Sequence, residues 1–147
     1  MFGREMPNLI SYTSGFGSVI QLSKIFKVEE AEKLVKEGVY TMSWFASKHE
    51  GAKHFRAVYY DYEPNWSTNV THMHNKRESV YIILDGLAKV HLKGEVHELG
   101  TGMVVYLSPG DIHGIVGSGP DGLRMIEVWA PVDPDIVYFE DGKEVKN

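Results

Sequence analysis

Two histidines one residue apart, a glutamate four positions further on and a third histidine far downstream are the residues here best suited to chemistry. They are His72, His74, Glu78 and His113, within THMHNKRESVYIILDG (71–86) and GMVVYLSPGDIHG (102–114). Neutral imidazole suits Zn, Cu, Fe or Ni, and a carboxylate oxygen admits Mn as well. Side chains at i and i+2 of a strand point the same way, so His72 and His74 face one side, roughly 7 Å apart at Cα. Glu78 lies an even number of residues further, across a bend at NKR. His113 follows Pro109-Gly110-Asp111, a turn that resets the chain before a new strand. Four such ligands on an octahedral ion leave two positions for water or substrate. A lone strand histidine is more often a surface or hydrogen-bonded residue; the convergence of two separated motifs argues for a metal.

These residues need strands to position them, and the chain supplies strands. After Gly38 the apolar pattern has period two. The segments 39–46, 54–63, 68–74, 79–84, 87–93, 95–99, 103–108, 123–130 and 135–140 are rich in aromatic and β-branched residues. Asp85-Gly86 reads as a two-residue hairpin turn. Lys93-Gly94, Gly100–Gly102 and Asp121-Gly122 read as further turns. About nine short strands at this spacing predict an antiparallel barrel or sandwich. KVEEAEKLVKEG (27–38) reads as the one helix: Ala31, Leu34 and Val35 share a face, charges follow the dipole, and Gly38 stops it. SVYIIL and MVVYL are apolar on both faces, which predicts cover from the barrel interior and from a neighbouring sheet or subunit.

Three other residues are candidates. Glu127, in the apolar strand LRMIEVWA, could be a general base or hold a ligating histidine. Its bland alternative is an outward-facing acid. Arg56 with Tyr60, on one face of 54–63, could bind an anionic substrate; the alternative is a surface arginine beside core tyrosines. His91 and His97 alternate with Lys and Glu and read as solvent-facing. Trp44, Trp66 and Trp129 read as packing residues.

Bulk properties narrow the classes. The chain has 147 residues, 43% hydrophobic and 24% charged, which suits one folded domain. The expected division is an arm, helix and first strands (1–53), a metal-binding barrel core (54–130), and a C-terminal strand and tail (131–147). A net charge of −5 argues against a nucleic-acid partner. The absence of cysteine excludes disulfides and thiol catalysis. No secretory leader or membrane-spanning stretch is read, so a cytoplasmic protein with no membrane partner is expected.

Residues 60–130 resemble the cupin family. The first cupin motif, G(X)5HXH(X)3–4E(X)6G, is similar to the stretch from Trp66 to Gly86. The second, G(X)5PXG(X)2H(X)3N, is similar to the stretch from Gly102 to Gly117. Four departures are visible. Trp66 stands at the opening glycine, and seven rather than six residues separate Glu78 from Gly86. Ser108 stands where proline is usual, beside Pro109, and Gly117 replaces the final Asn. The resemblance implies an all-β double-stranded β-helix, or jelly-roll barrel, here a single cupin domain with one short N-terminal helix, and frequently a homodimer. It implies one divalent transition metal (Fe, Mn, Ni or Zn) on His72, His74, Glu78 and His113, and a small-molecule ligand. The expected function is a metal-dependent enzyme of dioxygenase, isomerase or lyase type. A ligand-binding or sensing module and a structural barrel with a vestigial site are the alternatives.

Overall fold

The structure is a computed structural model that describes residues 23–132 and 135–145. Among these residues ten strands follow one 3-10 turn at Val28–Glu30. They are β1 (Lys33–Lys36), β2 (Tyr40–Ala46), β3 (Arg56–Tyr62), β4 (Val70–His74), β5 (Glu78–Leu92), β6 (Glu95–Gly100), β7 (Val104–Leu107), β8 (His113–Ala130), β9 (Ile136–Glu140) and β10 (Lys143–Val145). All pairings are antiparallel. One path runs β1-β2-β3-β8-β4-β9-β10, and β5 pairs with β6, β7 and β8.

The long strands β5 and β8 roll this sheet into a jelly roll. Their pairing runs from Glu78↔Ala130 to Leu92↔His113, with register shifts near Gly86. The Asp85-Gly86 and Asp121-Gly122 pairs therefore lie inside strands rather than at hairpin turns. The segments 79–84 and 87–93 are one bent strand. Gly86 and Gly122 both have positive φ, 77° and 80°. A Cβ on Gly86 would run into the carbonyl of Gly122. The glycines thus serve a close crossing, where each strand kinks. Lys93-Gly94 is a genuine two-residue turn with φ positive at both positions, joining Leu92 to Glu95.

The helix expected over 27–38 is reduced to the 3-10 turn at Val28–Glu30. Lys33–Lys36 instead adds an edge strand, with Leu34↔Met42 and Lys36↔Tyr40 in register. Three apolar residues are too few to anchor a short helix, whereas β2 offers a ready row of hydrogen-bond partners. Lysines at both ends of this exposed strand blunt the edge.

Strand alternation sets the interior. Tyr81 and Ile83, Ala88 and Val90, and Leu123 and Met125 are buried in i, i+2 pairs and form the core with Tyr62, Leu99, Leu107 and Ile115. On β3 the face that carries Arg56, Val58, Tyr60 and Tyr62 points inward, opposite Trp129, Glu127, Met125 and Leu123. The barrel draws on β2 and β9 as well as on residues 54–130. Outside it, β7 leaves Val104 59% and Tyr106 56% exposed. No described helix is long and apolar enough to cross a membrane.

Candidate metal centre and cavity

His72 and His74 project from one face of β4, and β8 begins with His113 directly opposite His72. The rings gather: centroids are 4.5 Å apart for His72 and His113, 5.0 Å for His72 and His74, and 5.7 Å for His74 and His113. One nitrogen from each lies within 4.8 Å of the others. Two of the rings are oriented by their Nδ1 atoms. His113 Nδ1 is 2.8 Å from the backbone oxygen of Asp111, so it carries the proton and donates it there. His74 Nδ1 is 3.2 Å from Asp135 Oδ1, and Asp135 Oδ2 accepts the Lys76 backbone N–H at 2.6 Å. The Nε2 atoms of His74 and His113 are consequently bare. Both are buried without a hydrogen-bond partner.

The electrostatics keep these nitrogens unprotonated. Burial lowers His72 to about 3, helped by the charges of His113, His74 and Arg77. Burial, then Arg77 and His113, lowers His74 to about 4, against the pull of Asp135. His113 is lowered as well, chiefly by burial. Three neutral imidazoles whose nitrogens converge, two of them buried and unsatisfied, fit a divalent transition ion, whose bonds to such nitrogens run about 2.0–2.1 Å. Carboxylate and carbonyl partners on the far ring nitrogens are the usual support of such a ligand.

Glu78 does not join them. It heads β5 on the outer face, exposed, and its Oε1 accepts a 2.6 Å hydrogen bond from Tyr106 Oη. His74 and Glu78 belong to different strands, so even spacing across the 75–77 bend says nothing about facing. The residue separated from Gly86 by six others, the family's usual interval, is Ser79. Ser79 faces inward and is 2% exposed. At the motif's usual spacing the inward-facing position thus holds a serine.

A cavity of about 440 Å³ opens beside the cluster, with His72, Arg77 and Glu127 in its wall. Rings of Tyr40, Trp44, Tyr60, Trp66, Trp129 and Tyr138 form much of the rest. Tyr60 is thus one of the rings in the cavity wall. Burial holds its hydroxyl protonated, pushing it well above its ordinary value. Arg56 is not a cavity residue. Its Nη1 donates to the backbone oxygens of Ala52 and Phe55, at 2.7 and 2.9 Å, at the barrel's end. Those carbonyls of the preceding loop take the charge that a substrate anion was expected to take.

Glu127 points inward and is 6% exposed. Its Oε1 accepts a 2.8 Å hydrogen bond from Arg77 Nη2, and the guanidinium lies 4.1 Å over the Trp129 ring. Burial raises the Glu127 carboxyl above its usual range, with the Arg77 charge and hydrogen bond pulling it partly back. Arg77 was hidden in the sequence because NKR reads as a solvated bend. Asp111 acts through its backbone and leaves no sequence signal.

Residues 58–129 match the model of the cupin domain family. Solved structures with the same barrel include the polyketide cyclase RemF from Streptomyces resistomycificus. The match is 24% identical with a TM-score of 0.66, over 78% of this chain and 84% of that one. A Klebsiella pneumoniae uncharacterised conserved protein with a double-stranded β-helix domain is 24% identical with a TM-score of 0.65, over 82% of this chain and 100% of that one. The Streptomyces nucleoside dehydratase Pac13 is 16% identical with a TM-score of 0.63, over 81% and 92%. A search of curated protein sequences finds no relative. With both histidine motifs on a rolled antiparallel barrel, and the family match running from β3 to β8, residues 58–129 of the chain form a cupin domain.

Proposed function

We propose that this protein is a metal-dependent enzyme acting on a small molecule in the barrel cavity, by proton transfer of the isomerase or lyase kind. The observation that carries the reading is the pair of buried, unpartnered Nε2 atoms of His74 and His113 beside His72. His72, His74 and His113 would hold one Fe, Mn, Ni or Zn ion. Such an ion supplies Lewis acidity toward a substrate oxygen.

The remaining work falls to the chain's own side chains. Glu127, its carboxyl raised by burial, is poised to take a proton from a carbon next to that oxygen and return it elsewhere. Arg77 holds Glu127 in place through Nη2 and limits the rise in its proton affinity. The aromatic wall excludes water and orients the substrate body. Tyr60 offers a protonated hydroxyl. A cavity with an inward carboxyl favours turnover over simple binding, and two barrel neighbours bear enzyme names, a cyclase and a dehydratase.

This reading has residues 1–147 acting as one domain in the cytoplasm, as a homodimer joined through the apolar outer face of β5, β7 and β8. Elemental analysis tests its centre. Wild-type protein should take up one equivalent of metal. His113→Ala and His72→Ala should take up none while keeping a wild-type circular dichroism spectrum. A wild-type protein that binds no divalent metal, or a His113→Ala variant that binds it equally well, sinks the proposal.

A further inference from the structure

With Glu78 on the outer surface, no carboxylate among the described residues joins the three histidines to offset an ion's charge; Asp135 reaches only the Nδ1 of His74. The imidazoles are neutral. Arg77 and Lys36 add positive charge to the cavity wall, and Glu127, the one acid lining it among the described residues, is already paired with Arg77. The guanidinium is itself short of acceptors: Arg77 Nε is buried and has no hydrogen-bond partner. Trp129 under its face and Glu127 at one edge hold it still. A fixed, under-satisfied guanidinium in an apolar wall is a carboxylate receptor. The nearby Glu127 charge repels a dianion more than a monoanion, which favours a carboxylate over a phosphate.

The rest of the wall describes the body of the ligand. Tyr40 meets Tyr60 edge-on at 5.2 Å; Tyr60 and Tyr62 are 5.5 Å apart, and Tyr62 and Trp66 5.2 Å. These rings make broad, stiff, apolar faces that suit a flat partner better than a puckered one.

We propose that the cavity's ligand is a small organic acid, a monocarboxylate on a flat aromatic or unsaturated body, with Arg77 as the residue that selects for the acid group. This rests on the reading of the cavity as the substrate site. It does not require the metal to be in place.

All three tryptophans of the chain line the cavity, so intrinsic fluorescence reports its occupancy. Titrations with benzoate, benzamide, cyclohexanecarboxylate and phenylphosphate, read by fluorescence and calorimetry, test the proposal on wild-type, Arg77→Gln and Arg77→Lys proteins. Metal content and circular dichroism are measured on each. Benzoate should bind wild-type protein about thirtyfold more tightly than benzamide, the range for losing a charged hydrogen bond. Cyclohexanecarboxylate and phenylphosphate should both bind more weakly than benzoate. Arg77→Gln should lose benzoate by a similar factor while binding metal as wild type does, and Arg77→Lys should recover only part of it. The proposal is overturned if benzamide matches benzoate, if phenylphosphate or cyclohexanecarboxylate binds more tightly, if folded Arg77→Gln keeps full affinity, or if benzoate does not bind. Metal uptake without benzoate binding removes this inference alone. Benzoate binding without metal uptake leaves it standing and removes the metal reading.

Discussion

At the scale of single residues, the centre is a set of bases kept bare by burial, and this has a measurable cost in acid. In the unfolded chain a histidine protonates near 6.5, whereas folded His72 and His74 do so only near 3 and 4. Between those values the unfolded state holds more protons. The metal-free protein should therefore lose stability as pH falls below about 6.5, by up to about 1.4 kcal/mol per pH unit for each histidine. Glu127 has the opposite sign. Its raised carboxyl favours the folded state in acid and loses that contribution as pH rises from 4.5 through the folded value. Urea midpoints of metal-free protein at pH 8, 6.5 and 5 check the histidine term. A His72→Gln/His74→Gln variant should show a flatter acid limb, and an unchanged slope would mean other groups carry the titration. The support of the ligands is testable too. Asp135→Asn should keep the fold and weaken metal binding about 10–100-fold, as measured by chelator competition.

The convergence of three of the four expected residues was legible in the sequence because the i, i+2 rule and the downstream histidine each act within one strand. Glu78 was not, because its facing depended on a bend whose geometry no periodicity encodes. Glu127 was legible as an acid in an apolar strand. Its partner Arg77 was not, since a charged residue in a turn is ordinarily solvated.

Among the elements, β4 and β8 carry the histidines, the bent strands β5 and β8 frame them, and their glycines are what allow the bend. β5 and β8 reach from the core to the histidines only because they kink against each other near Gly86 and Gly122. Gly86→Ala places a side chain at positive φ and against a backbone carbonyl. It should cost about 2–3 kcal/mol, read as a lowered thermal midpoint. An Ala at Gly100, where φ is not positive and a Cβ would meet nothing, should change little. Equal effects at both positions would refute the crossing argument. Period-two patterning located most strands within a few residues, because it reports burial on one face. It missed the kinks, since Asp-Gly has the same local chemistry in a hairpin and in a bulge. It also took 27–38 for a helix, since the competing partner, β2, is a neighbour only once the sheet exists.

At the scale of the whole molecule, the outer face of the barrel is the part left without cover. Val80 and Ile82 on β5 lie between Tyr106 and Val104 on β7 and Val128 and Ile126 on β8, in direct register. These apolar side chains point away from the interior, and Val104 and Tyr106 are more than half exposed. A contiguous apolar sheet face of this kind is uncommon on a monomer and packs naturally against a second sheet. The proposed homodimer would cover it and give the doubly apolar strands their second layer. Val104→Glu should convert the protein to a monomer by light scattering at micromolar concentration, while metal uptake and the circular dichroism spectrum stay as in wild type. Val70→Glu, on β4, serves as the control for adding an acid at an exposed valine and should leave the dimer intact. A wild-type monomer, or a dimer indifferent to Val104→Glu, would show that this face is not the interface.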